Sequence, residues 1–247
     1  MTSVREVLDL LNGIAPLDLA EEWDNVGLLV GNPDAQVEHA LCTLDLSAGA
    51  IARAKEIGAG LIITHHPVMF RGRKNLREDD PEGRLLCELI REGIALIAMH
   101  TNYDIAHPGV NDALASAFGL RDVRPFPCGM CAGDLKEEKT LSEFAAQTEL
   151  VLCDAVRVYG DCGKTIRRVA VMGGSGADYV SVALDAGADA FVTGEIGYHR
   201  ALDAVDRGLL ILEAGHAATE KPAIPMLAEA LQNAADAVQY KIYVDSF

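Results

Sequence analysis

Basic and aromatic residues are both scarce in this chain. Lys and Arg together number 21 against 37 Asp and Glu, which gives a formal net charge of −16 at pH 7. Because proteins that bind DNA or RNA usually present a broad basic face, this balance argues against a nucleic-acid partner. The local basic run Arg71-Gly72-Arg73-Lys74 is interpreted as a solvated loop in preference to an anion site. Aromatic residues make up 5% of the chain, so buried strands with packed helices are favoured over an aromatic-rich β-sandwich.

Long apolar runs and a disulfide framework are also lacking. No apolar segment approaches the roughly 18 residues that a membrane-spanning helix needs. Glu6 and Asp9 interrupt the first segment, so it does not resemble a signal peptide. Among the six cysteines, Cys128 and Cys131 form a lone CxxC motif, for which a structural or incidental role is favoured over zinc or redox chemistry. We expect a cytoplasmic protein with reduced thiols and no membrane partner.

Short apolar runs alternate with helical segments along the 247 residues. An internal repeat is visible, because residues 40–66 and 169–195 align without a gap as strand, turn, helix, Gly-Ala, strand and Thr. This alternation predicts parallel βαβ units. The fold class is therefore predicted as α/β, with two related βαβ-containing domains in which helices surround mostly parallel sheets.

The domain boundary is predicted from a change in composition. Residues 120–139 are rich in Pro, Gly and charge, and we take this segment as the junction. The predicted first domain covers residues 1–127 and is completed by the C-terminal segment 220–247. The predicted second domain covers residues 128–219.

Histidine and acidic residues follow three of the predicted strands. Ligand sites in open α/β sheets lie beyond the carboxyl ends of the strands, so side chains at these points are expected to converge. The residues concerned are His65 and His66 after residues 61–63, His100 and Asp104 after residues 95–99, and His216 and Glu220 after residues 209–212.

This set of imidazoles and carboxylates predicts a metal site. Such ligands suit Zn, Mn or Fe better than Ca or Mg. Five or six ligands exceed the four that one tetrahedral zinc needs, whereas two ions sharing a carboxylate would use them all. Glu220 is the natural bridge, because Thr219 is expected to cap a helix with Pro222 in its first turn and so to hold Glu220 at a rigid helix start.

Several other motifs keep two interpretations each. Glu195 occupies the repeat position of the strand-end histidines, so it is either an acid that supports the site or acts as a general base, or a surface carboxylate. Gly173-Gly174-Ser175-Gly176 is either a phosphate cradle or a tight strand-to-helix turn. Trp23-Asp24-Asn25 is either a cavity wall or a packed turn. His107 is interpreted as part of a turn.

The motifs taken together are similar to those of a known family. The chain resembles the YbgI-type, NIF-three-like dinuclear metal proteins, often labelled GTP cyclohydrolase I type 2 homologs. The matching segments are EEWDNVGLLVG (21–31), ITHHPVMF (63–70), MHTNYDIAHPGVNDAL (99–114), GGSG (173–176), VTGEIGYHRALDA (192–204) and GHAATEKP (215–222).

This resemblance implies a homohexameric toroid, a trimer of dimers with two divalent ions per subunit. It implies a ligand set in which Glu220 bridges the ions, consisting of His65, His66, Asp104, His216 and Glu220. His100 matches a position beside the metals and is either an extra ligand or a supporting residue. The chain corresponds to the compact form of the family, and it departs from the pattern at Ala217-Ala218, where relatives often have an aromatic residue.

The function predicted from these residues is that of a metal-dependent hydrolase that uses a metal-bridging water. Glu195 and His100 are the candidate catalytic residues, and a small-molecule substrate is expected. The family label suggests opening of the GTP ring, although no guanine-reading or triphosphate-binding motif stands out. The alternative is a non-enzymatic metal carrier, storage protein or regulatory toroidal assembly. The ligands accept Zn, Fe, Mn or Ni.

Overall fold

The computed structural model describes residues 2–235 and 241–245. The chain divides into two compact units, which are treated separately below. The first unit comprises the described residues of 1–106 and 224–247, and the second comprises residues 107–223.

Helices and strands alternate through both units. The elements up to residue 106 are β1 (Thr2–Ser3), α1 (Val4–Ile14), β2 (Gly27–Val30), β3 (Gln36–Val37), β4 (His39–Thr43), α2 (Ala48–Glu56), β5 (Leu61–Thr64), α3 (Pro81–Glu92), β6 (Ala95–Ala98) and α4 (Thr101–Ile105). The remaining elements are α5 (Val110–Ala117), β7 (Arg121–Pro125), β8 (Cys131–Thr140), α6 (Leu141–Leu152), β9 (Arg157–Tyr159), β10 (Thr165–Ser175), α7 (Val180–Asp185), β11 (Ala190–Glu195), α8 (Tyr198–Asp206), β12 (Leu210–Glu213), α9 (His216–Glu220), α10 (Ala223–Ala234) and β13 (Lys241–Val244). Short 3-10 helices lie at Leu17–Leu19 and Ala177–Tyr179.

The main sheet of the first unit has the strand order β13-β4-β5-β6-β2. Its first four strands run parallel, and β2 joins the far edge antiparallel to β6. Leu61, Ile62 and Ile63 in β5 are all buried, as expected for a parallel strand that is covered on both faces. Pairing of Thr43 with Thr64, and of Thr64 with Ala98, aligns the carboxyl ends of β4, β5 and β6. The residues that follow these strands therefore emerge at one edge of the sheet.

The sheet of the second unit has the strand order β7-β8-β10-β11-β12-β9. β10, β11 and β12 are parallel, whereas β7, β8 and β9 add antiparallel pairs at the two sides. Thr193 pairs with both Met172 and Glu213. The carboxyl ends of the three parallel strands are thus aligned as in the first unit.

The internal repeat corresponds to the two parallel cores. Residues 40–66 contain most of β4, then α2 and β5, and residues 169–195 contain most of β10, then α7 and β11. Each copy is followed by a helix and a further parallel strand. The predicted α/β class with two related βαβ-containing units is confirmed, and the second sheet is mixed because of its antiparallel flanks.

Residues 120–139, predicted as a domain junction, contain strands β7 and most of β8. They form an antiparallel hairpin that belongs to the second unit. Its charged residues lie on exposed positions of β7, so its composition resembles that of a linker. The domain ranges 1–127 and 128–219 remain predictions.

Helix starts follow the capping signals in the sequence. The pattern of Ser or Thr followed three residues later by Glu predicts a capping box at Ser3 and at Thr140. Ser3 and Glu6 form this box at the start of α1, and Thr140 and Glu143 form it at the start of α6. The alternating pattern of residues 238–244 predicts a C-terminal strand. This strand is present as β13, while residues 238–240 lie outside the described residues. In the part of the chain that the structure describes, every helix is too short or too polar to span a membrane.

Candidate metal centre

Three histidines of the first unit lie together at the carboxyl ends of its parallel strands. His65 and His66 follow β5, and His100 follows β6. One ring nitrogen from each residue lies within 4.8 Å of the other two. The ring centroids are 5.0 to 5.5 Å apart. The adjacent His65 and His66 can share this cluster because they come after the strand ends, where side chains no longer alternate between the faces.

His65 and His66 each use Nδ1 for a hydrogen bond within the first unit. Nδ1 of His65 donates to the backbone carbonyl oxygen of Met99 at 2.8 Å. Nδ1 of His66 donates to Oδ1 of Asp45, also at 2.8 Å. Since these oxygens accept the bond, the proton sits on Nδ1 and a neutral ring has its lone pair on Nε2. Histidines that bind metals usually have this arrangement, in which the second nitrogen donates to a carboxylate or carbonyl.

His100 also uses Nδ1 for a hydrogen bond, and its partner is Asp24. Its Nδ1 lies 2.9 Å from Oδ1 of Asp24. The carboxylate also accepts hydrogen bonds from the backbone amide and hydroxyl of Thr101. Burial raises the pKa of Asp24, but the hydrogen bonds from His100 and Thr101 outweigh it and hold that pKa well below its ordinary value. Asp24 is therefore an ionised, buried acceptor that fixes the ring of His100.

Asp104 lies beside the same cluster. It is part of α4, and its Oδ1 is 3.6 Å from Nε2 of His65. Its side chain is partly buried. The structure therefore brings the four predicted site residues of the first unit, His65, His66, His100 and Asp104, into one neighbourhood.

Two exposed aromatic side chains border His100. The rings of Trp23 and Phe70 stack with centroids 6.3 Å apart. Each meets His100 edge-on, at 6.0 and 5.6 Å respectively. Trp23 is 60% exposed and Phe70 is 49% exposed. The Trp23-Asp24-Asn25 segment therefore supplies an exposed ring beside His100 and, in Asp24, the partner of that histidine. The cavity-wall interpretation stays a prediction.

His216 and Glu220 of the second unit lie one helical turn apart in α9. Nε2 of His216 is 3.1 Å from Oε1 of Glu220, and its Nδ1 is 3.4 Å from Oε2 of Glu195. Glu220 is 3% exposed. The hydrogen bond to Glu220 raises the pKa of His216; burial opposes this, and Glu195 adds to the increase. The exposed Glu195 thus contacts the second nitrogen of a predicted ligand.

The expected capping role of Thr219 is wrong. Helix α9 begins after Gly215, so Glu220 is its last residue. The hydroxyl of Thr219 lies within hydrogen-bond distance of the Gly215 and His216 carbonyls, as is common for threonine inside a helix. It also accepts the backbone amide of Gly174 at 3.0 Å. Pro222 lies after the end of this short helix, so it does not open the helix as expected. Glu220 is held instead by the packing of α9 on β10 and β11.

Gly174 leaves space for the Glu220 carboxylate. Its φ of +62° lies in the left-handed region that favours glycine. A Cβ at this position would stand 2.3 Å from Oε1 of Glu220 and 3.2 Å from Nε2 of His216. A side chain here would collide with the donor atoms of both residues.

The backbone amides of the Gly173-Gly174-Ser175-Gly176 segment bond within the protein. Gly173 donates to the Asn111 side chain, and Gly176 donates to the carbonyl of Glu195. The amide of Gly174 is used by Thr219, as described above. This supports the tight-turn interpretation over a phosphate cradle, because at least three of the amides have internal acceptors.

The donor chemistry of each unit fits a divalent transition metal. The first unit offers three imidazoles and the carboxylate of Asp104, and the second offers an imidazole beside a buried carboxylate. Nitrogen and oxygen donors of this kind suit Zn, Fe, Mn or Ni. Sequence reasoning missed Asp24 and Asp45 as partners of the histidines. Asp45 also follows a parallel strand, so the strand-end pattern that selected the histidines would have included it.

Comparison with known proteins gives consistent matches over nearly the whole chain. The model of the Duf34/NIF3 (NGG1p interacting factor 3) family matches residues 2–246. A Streptomyces coelicolor protein named GTP cyclohydrolase 1 type 2 homolog is 38% identical over 238 residues, covering 90% of this chain and 83% of that protein. A Clostridium perfringens protein of the same name is 34% identical over 242 residues, covering 94% and 92%. The crystal structure of a Bacillus cereus protein related to NIF3 matches with a TM-score of 0.95 at 25% identity, covering 100% of this chain and 97% of that one.

Proposed function

Because this chain belongs to the Duf34/NIF3 family, we propose that it binds two divalent transition-metal ions per subunit and acts as a metal-dependent hydrolase. The proposed ligands are the five that the sequence indicated: His65, His66 and Asp104 in the first unit, and His216 and Glu220 in the second. The substrate class is a small molecule with an electrophilic carbon or phosphorus centre.

The observation that carries this proposal is the common orientation of the histidines in the first unit. Each Nδ1 donates to a carbonyl or carboxylate oxygen, so each neutral ring turns an Nε2 lone pair away from its internal partner. Protein interiors use this arrangement to hold imidazoles ready for metals.

When bound, the ions would supply Lewis-acid chemistry, by lowering the pKa of water and stabilising negative charge on the substrate. The protein's own groups would then orient the reactants. Asp24 fixes the ring of His100, whose Nε2 can accept or return a proton. Glu195 faces Nδ1 of His216 and has an exposed carboxylate that can also take up a proton. Trp23 and Phe70 offer an apolar surface next to His100 for the substrate.

The test begins with metal analysis of the anaerobically purified protein. The protein loaded with the metal found would then be assayed against a panel of nucleotides, phosphoesters and amides. The double variant His65→Ala/His66→Ala should lose metal and turnover together. His199→Ala is the matched control, because this histidine lies on α8 outside the clusters described above, and it should leave both unchanged.

The alternative function is that of a metal carrier, a storage protein or a regulatory assembly. It requires the same ligands and no turnover. Tight, reversible metal binding by the wild type without hydrolysis of any panel substrate would support the carrier and count against the hydrolase. Turnover that persists at full rate in the metal-free double variant would contradict the proposed metal dependence.

A further inference from the structure

A second group of potential metal ligands lies within the second unit. His107 precedes α5, Asp112 is the third residue of α5, and Cys131 is the first residue of β8. One ligand atom from each residue lies within 4.8 Å of the other two. None of these residues belongs to the ligand set proposed above. The group therefore brings together an imidazole, a carboxylate and a thiol from three separate parts of the chain.

The carboxylate of Asp112 is at the centre of this group. Its Oδ2 lies 3.0 Å from Nδ1 of His107 and accepts the backbone amide of Gly109 at 2.9 Å. Two donors on one tetrahedral zinc ion lie about 3.3–3.8 Å apart, given bond lengths of about 2.0–2.3 Å. The His107–Asp112 distance is close to that range, and a ligand atom of each lies within 4.8 Å of the Cys131 thiol. Small side-chain rotations would therefore be enough to enclose an ion.

The two cysteines of the CxxC motif do not act as a pair here. Cys131 is fully buried and packs with Leu114 and Phe118. Cys128 is partly buried and packs with the other apolar cluster, which includes Met130. Residues alternate between the faces of a strand, and the turn before β8 places the two thiols in different surroundings. Cys131 therefore joins His107 and Asp112, whereas Cys128 does not.

We propose that His107, Asp112 and Cys131 form a binding site for a divalent ion of the zinc class. Sulfur, nitrogen and oxygen donors together suit Zn²⁺ and exclude Mg²⁺ and Ca²⁺, which require oxygen ligands. His107 and Asp112 have side chains that are 32% and 27% exposed, so the ion can enter from solvent. Three protein ligands leave the fourth position of the ion for water.

Helix capping explains only part of this arrangement. Asp112 completes the capping interaction with the amide of Gly109, and His107 can support it. Capping does not require a buried thiol within reach of both side chains. A nucleophilic role for Cys131 also does not fit, because a fully buried sulfur cannot meet a substrate. Metal binding is the function that uses all three groups, and it would connect the start of α5 to the hairpin of β7 and β8.

The test uses Co²⁺ as a spectroscopic substitute for Zn²⁺ on the full-length protein. Thiolate bound to Co²⁺ gives a ligand-to-metal charge-transfer band in the near ultraviolet. The ligands proposed for the hydrolase site contain only nitrogen and oxygen, so they cannot produce this band. The outcome is therefore independent of the proposed function. We expect saturating Co²⁺ to produce the band and excess Zn²⁺ to remove it, with release of the thiol proton to solvent.

Variants identify the ligands. Cys131→Ser should abolish the band, and Cys128→Ser is the matched control from the same motif, which should keep it. His107→Ala and Asp112→Asn should weaken Zn²⁺ binding by at least roughly tenfold. Asp112→Asn keeps an oxygen for the amide of Gly109, and both substitutions are outside the apolar core. The His107 and Asp112 variants therefore test the site even if Cys131→Ser does not fold. Circular dichroism would show whether each variant is folded.

Three results would overturn the proposal. The first is a wild-type protein that shows no thiolate band at saturating Co²⁺. The second is a band that survives in folded Cys131→Ser. The third is complete loss of the band in Cys128→Ser as well as in Cys131→Ser. Both thiols of the CxxC motif would then bind the ion, and the site would not be the proposed group of His107, Asp112 and Cys131.

Discussion

Asp24 and Asp45 are not predicted ligands, yet they determine how two of the histidines are presented. Asp24 holds His100 and Asp45 holds His66 through Nδ1. They differ in burial, because the side chain of Asp24 is fully buried and that of Asp45 is 60% exposed. A buried carboxylate is costly to bring out of water unless it is hydrogen-bonded. Asp24 should therefore matter for stability as well as for orientation.

We predict that Asp24→Asn destabilises the metal-free protein by roughly 1–3 kcal/mol at pH 7, because a buried charged hydrogen-bond acceptor is lost. The folded-state pKa of Asp24 is depressed. The stabilisation that the ionised Asp24 gives to the fold is therefore fully present above the unfolded-state pKa of about 3.9. It is lost as the pH falls through the lower pKa of the folded state. The difference in the free energy of unfolding between wild type and variant should be constant from pH 7 to about pH 4. Below that pH the difference should shrink. Urea unfolding at a series of pH values would measure this.

Asp34→Asn is a suitable control for this experiment. Asp34 forms an exposed ion pair with Arg5, so its replacement should change stability by less than about 0.5 kcal/mol. An Asp24→Asn penalty that stayed the same down to the lowest pH would show that Asp24 acts through packing and not through its charge.

A second residue-scale prediction concerns the proposed ligands of the second unit. His216→Ala should lower the metal content to at most one ion per subunit while the far-ultraviolet circular dichroism spectrum stays unchanged. Glu220→Ala should lose both ions, because a bridging carboxylate serves two metals. Elemental analysis would measure both variants. Unchanged stoichiometry in His216→Ala would remove it from the ligand set, and loss of a single ion in Glu220→Ala would contradict the bridging role.

At the scale of elements, the short helix α9 and strand β10 position His216 and Glu220 together. Gly174 in β10 permits this, because it combines a positive φ with close contact to the Glu220 carboxylate. Thr219 joins the two elements by accepting the amide of Gly174. The site therefore depends on a glycine for both backbone conformation and space.

We predict that Gly174→Ala displaces Glu220 and lowers metal affinity at least roughly tenfold, as loss of ligand support commonly does. Gly187→Ala is the matched control: Gly187 has a similar positive φ of +71°, but no atom lies within 4 Å of the added Cβ. Both variants should show the cost of strained backbone, on the order of 1 kcal/mol, in thermal unfolding. Metal titration should separate them, and equal affinities would show that space beside Glu220 is not required.

At the scale of the whole molecule, the resemblance predicts a homohexamer, a trimer of dimers arranged as a toroid. Native mass spectrometry and light scattering should then give six copies of the 26.3 kDa chain. The net charge of −16 per chain should make assembly weaker at low ionic strength, since like charges are then screened less. A monomer or dimer at both low and physiological salt would contradict the predicted assembly.

The accuracy of sequence reasoning depended on how local each feature is. The alternation of strands and helices, and the capping boxes at Ser3 and Thr140, are set by residues close in the chain, and they were predicted well. The hairpin at residues 120–139 was missed, because charged and glycine-rich residues are common to linkers and to exposed antiparallel strands. The cap at Thr219 was also predicted wrongly, since the helix already begins at His216 with Gly215 as its N-cap.

The order of residues alone determined that this is an α/β protein with two related parallel cores, and that histidines and acids emerge where their strands end. These properties follow from periodicity and from aligned strand ends. The tertiary structure decided which atom each imidazole presents. Asp24 meets His100 across 76 positions, and Met99 meets His65 across 34. Such hydrogen bonds form only when segments distant in the sequence pack together at the edge of the sheet. A local sequence pattern does not specify that packing.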